Sequence, residues 1–302
     1  MTRRQLLRAF LASGLYMKCA SAMAATTTPM IRRVIPQSGE TLPVIGLGTW
    51  QTFDVGGESE RAPLRAVLRE FAAYGGSVID SSPMYGRSES VAGDLIAEAT
   101  LTAKIFFATK VWTQGREPGI RQMEESFRRL RTPRMDLLQV HNLVDWRTHL
   151  ATLRSWKEPG KLRYIGVTHY TESGYGDLER VMKAEPLDFV QLNYSIAERS
   201  AEKRLLALAA ERKIAVLVNR PFGGGGLIKR VLPYPLPSFA AQVDCSSWAQ
   251  LLLKFAISHP AVTCAIPATS KVAHLRDNMQ AGFGALPDQA MRAHIARHVE
   301  AL

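Results

Sequence analysis

Short apolar runs recur along the chain at intervals that suit a repeating strand–helix unit. They begin near Val44, Ser77, Ile105, Met135, Leu162, Leu187, Ile214 and Val262. Their Val, Ile and Leu content fits strands covered on both faces, as in a parallel sheet flanked by helices. A helical pattern follows each run. Pro63-Leu64, Val67-Leu68 and Phe71 mark one apolar face, and Ile120, Met123, Phe127 and Leu130 mark another. Pro63 is expected in the first turn of its helix, where a missing N–H does no harm. Glu124 and Arg128 stand four apart and can pair. A hairpin is predicted around Val34 to Leu42, before the first run. Eight units of roughly thirty residues predict a (β/α)8 TIM barrel, a single α/β domain with an N-terminal β-hairpin, over 34–302. The rival is a doubly wound nucleotide-binding sheet, which wants Gly-x-Gly-x-x-Gly after its first strand. Gly46-Leu47-Gly48 lacks the third glycine, and Gly223-Gly224-Gly225-Gly226 comes too late. The barrel is favoured.

Residues 1–24 follow another pattern. Thr2-Arg3-Arg4-Gln5-Leu6-Leu7-Arg8 precedes a modest apolar stretch from Ala9 to Met17, and Ala22-Met23-Ala24 closes the segment. Basic start, apolar middle and Ala-x-Ala end predict a signal peptide, with residues 25–33 a linker. The arginine pair is similar to a twin-arginine export signal, and Lys18 and the weak hydrophobicity suit that route. A basic start to a cytoplasmic protein is the competing reading; it does not account for three features in the correct order. The twin-arginine export machinery is thus an expected partner and the bacterial periplasm the expected location. The apolar part is too short to span a bilayer, so no stable membrane anchor is expected.

The composition, 46% hydrophobic and 22% charged over 302 residues, excludes a disordered chain and a disulfide-dense scaffold. Net charge is +11, and loss of Arg3, Arg4, Arg8 and Lys18 with the leader leaves +7. The cations are dispersed, which predicts a solvated basic surface and no nucleic-acid partner. Cys19, Cys245 and Cys264 have no metal-ligand spacing, and no metal is expected. Cys245 and Cys264 survive cleavage and could pair in an oxidising compartment, although Cys264 lies in a core-like run.

Barrel active sites form at the C-terminal ends of strands. Those ends present Asp80, with Tyr85 five residues on, then Lys110 and His141. Each alone has a plain structural use: an Asp caps helices, a Lys is solvated, a His packs. Together they suit one reaction. A phenol near pKa 10 is a poor acid at neutral pH, and an adjacent ammonium lowers that value. A carboxylate such as Asp80 would hold the buried ammonium, and a neutral imidazole can orient a carbonyl. The set points to protonation of a carbonyl oxygen as hydride reaches its carbon.

Over about residues 34–285 the sequence resembles the aldo-keto reductase family of nicotinamide-dependent barrels. Gly46-Leu-Gly-Thr-Trp50 resembles the family's first strand, Leu162 to His169 its fifth and Val190-Gln-Leu-Asn-Tyr194 its sixth. Asp80, Tyr85, Lys110 and His141 match its catalytic tetrad in identity and order. The resemblance implies a small carbonyl or alcohol substrate and NADP(H) as cofactor, with NAD(H) left open. It places Thr168, His169 and Gln191 against the nicotinamide carboxamide, where the family commonly has Ser-Asn in place of Thr168-His169. It implies cofactor contacts from Asn219, Arg220, Pro221, Phe222, Gly223, Gly224 and Leu227. Asn219 stands where an aromatic residue usually stacks on the nicotinamide, and Phe222 is the nearest substitute.

The cofactor-tail motif is similar to Ile266 through Asn278. Its usual lysine is Ala268 and its usual arginine is His274, so Lys271 and Arg276 are candidates for a 2′-phosphate clamp. Thr269 and Ser270 stand at a predicted helix start suited to phosphate, and Asn278 completes the motif. Trp50 and Trp112 match pocket-wall positions. A short loop after His141 and a short C-terminal segment imply an open pocket. The expected function is NAD(P)H-dependent interconversion of carbonyl and alcohol. The alternative is a cofactor-binding or redox-sensing barrel with little turnover, a reuse seen in potassium-channel β subunits of the same family.

Overall fold

The computed structural model describes residues 29–302, so the signal-peptide assignment lies outside the described residues. Strands β1 (Arg32–Val34) and β2 (Thr41–Pro43) form an antiparallel hairpin. Eight further strands follow: β3 (Leu47–Gly48), β4 (Val78–Asp80), β5 (Phe106–Val111), β6 (Met135–His141), β7 (Leu162–His169), β8 (Phe189–Asn193), β9 (Ala215–Asn219) and β10 (Val262–Ala265). They are parallel and neighbour one another in chain order. Parallel bridges Ile45–Ala265 and Gly48–Ala268 join the ends, so the sheet closes into a barrel. A helix or helical segment follows each strand and lies outside. Each barrel strand begins within three residues of its predicted start.

Alternation along the strands divides the interior into two storeys. The lower one is apolar: Val78, Phe106, Ala108, Leu137, Tyr164, Phe189, Ala215, Leu217 and Cys264 pack with Ile35 and Leu42 of the hairpin. The hairpin is therefore the barrel's floor. The rings of Phe106, Tyr164 and Phe189 lie 5.5 to 6.0 Å apart. The Tyr164 hydroxyl escapes this layer by donating to Glu40 Oε2 at 2.7 Å. The other strand face packs against the helices as a separate core.

Two sequence expectations need correction. Pro63 is the sixth residue of the helix Glu58–Ala73, not part of its first turn. The helix starts early because Glu60 Oε2 accepts from the Gly56 and Gly57 amides, both at 3.0 Å. An interior proline costs about 3 kcal/mol. Burial of Leu64, Val67, Leu68 and Phe71, at about 1.5–3 kcal/mol each, outweighs it. Arg128 does not pair with Glu124. Its guanidinium takes Glu125 three residues back, and Glu124 faces Lys161 at 3.5 Å. For the cysteines the core-like reading of Cys264 holds: Cys245 and Cys264 are both free and buried. Cys264 packs inside the barrel and Cys245 in the outer core, so the sheet wall separates them.

Helix Ser88–Glu98 approaches helix Arg116–Leu130 closely at Gly93, where an added Cβ would meet Arg129 O at 2.1 Å. Gly93→Ala should cost about 1–3 kcal/mol through overpacking. Gly176→Ala, in open space on an exposed helical turn, should be neutral or gain up to about 1 kcal/mol. Denaturant midpoints of the two variants compare them directly, and equal effects would refute the close approach.

Candidate active site

The upper storey of the barrel is polar. Asp80, Lys110, Gln139, His141, Thr168, Gln191 and Asn219 share the inward parity of the apolar residues beneath them. Lys110 is fully buried, and its ammonium donates to Asp80 Oδ1 at 2.6 Å and to the Ser81 carbonyl at 2.7 Å. Asp80 Oδ2 accepts from Gln191 Nε2 at 3.0 Å and Gln139 Nε2 at 3.4 Å. The Lys110 nitrogen lies 5.2 Å from the centre of the Tyr85 ring. Tyr85 in turn meets His141 edge-on at 6.2 Å between ring centres. The four predicted catalytic residues therefore converge at one mouth.

Electrostatics divides their roles. Burial pulls the Lys110 ammonium down, but Asp80 and then Tyr85 outweigh it, and the ammonium is held above its ordinary value. For Tyr85, burial is the larger influence and raises the phenol above its ordinary value. Lys110 opposes this as expected from sequence, yet the net direction is upward. The phenol is thus kept protonated, with the ammonium beside it limiting the rise. His141 is pushed down to about 3, first by burial and then by the Lys110 charge, so its ring is neutral at physiological pH.

The predicted cofactor residues fare unevenly. Gln191 is committed to the wall: Nε2 to Asp80, and Oε1 to Thr168 Oγ1 at 3.2 Å. The His169 ring turns onto Gly174 and its Nδ1 accepts the Thr171 amide at 3.3 Å, so the loop after β7 holds it. Leu227 and Pro221 are buried, and Phe222 packs partly into the outer core instead of standing free as a stacking ring. Arg276 gives two donors to Glu70, at 2.7 and 2.9 Å, which corrects its place in a phosphate clamp. Asn278 is buried on the inner face of its helix. Lys271 and His274 are exposed, and Lys271 makes no ion pair among the described residues. Its amide donates to Thr269 Oγ1 at 3.1 Å where the helix Val272–Gln280 begins. Ser270 is half-buried beside it.

A dinucleotide fits what remains. Asn219 Oδ1 and Arg220 Nε are buried without a partner among the described residues, which a polar ligand would relieve. Gly223, Gly224 and Gly225 all have positive φ and form a tight turn, with the Arg220 guanidinium lying against Gly224. A cation over an exposed backbone turn suits phosphate. Trp50 and Trp112 stand at the mouth, 48% and 39% exposed, with Trp112 6.4 Å from His141 between ring centres. Sequence reasoning missed Gln139 and Ser82. Gln139 was within reach, since it precedes His141 by two residues and must share its face. Ser82, beyond a strand end, carried no such signal.

The depressed His141 predicts a pH effect on stability. The unfolded ring titrates at its ordinary 6.5 and the folded ring at about 3. Protons therefore reach the unfolded chain first, and this contribution is lost as pH falls from 6.5 toward 3. His141→Gln, with no proton to gain, should lose less stability over that window. Urea midpoints at pH 7.5 and pH 5 measure the gap, and parallel losses would contradict a buried neutral ring.

Comparison with known proteins agrees with this geometry. Methylglyoxal reductase YeaE of Escherichia coli K12 is 29% identical over 257 residues, spanning 82% of this chain and 89% of its own. An aldo/keto reductase from Klebsiella pneumoniae, solved with NADP and acetate, superposes with a TM-score of 0.75 at 27% identity. That match covers 88% of this chain and 94% of the other. An aldo-keto reductase from Klebsiella pneumoniae solved with NADPH gives the same TM-score at 26% identity, over 89% of this chain and 96% of the other. The sequence profile of the Aldo/keto reductase family matches residues 44–295, most of the barrel, and this chain belongs to that family.

Proposed function

We propose that this protein reduces an aldehyde or ketone at the expense of NADPH, with Tyr85 delivering the proton. The observation that carries this is the fully buried Lys110, 2.6 Å from Asp80 and 5.2 Å from the Tyr85 ring centre. Burying an ammonium is costly unless it is paired, and here its neighbour is a phenol at an open mouth. Arg220, the turn Gly223–Gly225 and the segment Thr269–Lys271 would hold the dinucleotide, with Lys271, which makes no ion pair among the described residues, placed for a 2′-phosphate. Bound there, reduced nicotinamide supplies hydride. Tyr85 donates to the carbonyl oxygen as negative charge develops on it, and the Lys110 ammonium stabilises the phenolate left behind. Asp80 keeps that ammonium charged and in place. Neutral His141 donates a hydrogen bond that orients the carbonyl.

The substrate proposed first is a small oxoaldehyde, on the strength of the Escherichia coli relative's name. The exposed Trp50 and Trp112 would flank it at an open entrance. A sensing barrel with little turnover is favoured only by Asn219, which removes a stacking contact; the intact tetrad outweighs that. Tyr85→Phe tests the reading. Turnover should fall by about 10²- to 10⁴-fold, while NADPH affinity measured by fluorescence titration stays nearly unchanged. Full turnover in the variant would remove Tyr85 from its role.

Export is the second part of the proposal. Its support is the order of Arg3-Arg4, the apolar stretch and Ala22-Met23-Ala24. Among the described residues no helix is long and apolar enough to cross a membrane. The twin-arginine route carries folded proteins, which would let the enzyme load its cofactor before leaving the cytoplasm. Replacing Arg3 and Arg4 by Lys should hold the protein in the cytoplasm on cell fractionation. Unchanged export would dismiss the twin-arginine route.

A further inference from the structure

Ser82 lies two residues beyond the end of β4, fully buried, and belongs to no predicted site. Its hydroxyl oxygen has two neighbours among the described residues: the Met84 amide at 3.3 Å and His141 Nδ1 at 3.3 Å. We propose that Ser82 is a positioning residue that fixes the tautomer of His141, keeping Nδ1 bare and the proton on Nε2. This rests on the reading above, in which His141 donates to the substrate carbonyl.

The argument is one of donors and acceptors. A serine hydroxyl has one proton to give and two lone pairs. The Met84 amide can only donate, so it occupies a lone pair. The serine proton then needs an acceptor, and His141 Nδ1 is the one group within reach among the described residues. If Nδ1 carried the proton instead, both neighbours would be donors and the buried serine proton would be stranded. The adjacent serine cannot substitute, because Ser81 Oγ accepts from Thr49 Oγ1 at 2.9 Å and belongs to a separate pair.

The tautomer matters because a neutral ring has a single proton. Lys110 and burial keep the ring neutral, so the choice between the two nitrogens decides whether the mouth sees a donor or an acceptor. Nε2, at the end of the ring away from the backbone, has no protein partner among the described residues. The ring itself is flanked by Tyr85 and Trp112. A bare Nε2 would repel a carbonyl oxygen; a protonated one binds it. The contact to Ser82 is long at 3.3 Å, so the serine biases the ring without locking it.

The test is nitrogen-15 NMR of the histidine rings in the full enzyme with and without NADPH, His141 being assigned by the resonances that His141→Asn removes. The wild type should show a non-protonated Nδ1 and a protonated Nε2. In Ser82→Ala the Nδ1 resonance should move and the two tautomers should mix. With NADPH and an aldehyde that the wild type turns over, Ser82→Ala should lower kcat/KM by about three- to tenfold and leave NADPH affinity unchanged. Ser82→Thr, which keeps the hydroxyl, should restore both readouts. Should alanine not fold, Ser82→Cys, a weaker donor of similar size, should shift the ring the same way by less. A wild-type ring protonated on Nδ1, or ring shifts unaltered by loss of the hydroxyl, would overturn the proposal. A changed tautomer with unchanged kcat/KM would uphold Ser82's hold on the ring and instead overturn the role given to His141.

Discussion

A lysine ammonium with no solvent exposure lies 2.6 Å from a carboxylate inside the barrel, and the groups around the mouth are arranged by that pair. Alone, either charge would be several kcal/mol too costly to bury. Together they still leave lone pairs to satisfy, which is why two glutamines and the Ser81 carbonyl converge on them. Removing one partner of such a pair typically costs 3–5 kcal/mol, so the site also braces the upper barrel. The same charge acts on both rings that face it at the mouth. It opposes the upward push of burial on the Tyr85 phenol and adds to the downward push on the His141 ring. One cation thereby limits the rise of the phenol and helps keep the imidazole uncharged.

The pair can exist only because the barrel keeps its polar and apolar demands apart. Strand parity carries the separation, since the inward positions beneath three of the polar groups are apolar: Val78 under Asp80, Ala108 under Lys110 and Leu137 under Gln139. Water is kept from below by the hairpin floor. Hydrogen-bonding groups are gathered above, close enough to complete one another's valences. A one-residue slip of β5 would turn Lys110 into the outer core and Thr109 into the site. Register therefore decides which side chain reaches the mouth as well as which packs outside.

The barrel and the convergence of Asp80, Tyr85, Lys110 and His141 were legible in the sequence for the same reason. Apolar runs spaced at regular intervals define strands, and the residues ending them are where this architecture places chemistry. Boundaries failed where a side chain, not a pattern, decided them, as with Glu60 starting a helix ahead of Pro63. Surface pairing failed because Arg128 had two acidic neighbours on its helix and Lys161 came from elsewhere in the chain. The cofactor-tail reading could not foresee that Glu70, distant in sequence, would take Arg276. His169 was placed by likeness, and the structure gives its ring to Gly174 and the Thr171 turn. What depends on a partner remote in sequence is invisible to spacing; what depends on period is not.

The seam of the barrel has a consequence for how the molecule is made. Ile45 and Gly48 are stitched to Ala265 and Ala268, so the first and last strands complete each other's hydrogen bonding. During synthesis the early strands must wait for nearly the whole polypeptide before that edge is covered, and closure over such a separation is slow. A chain cut short before Val262 would leave two open sheet edges, one at β3 and one at the last strand made. Open edges recruit other strands. Truncation of this protein would therefore yield material prone to intermolecular pairing and not a smaller working enzyme.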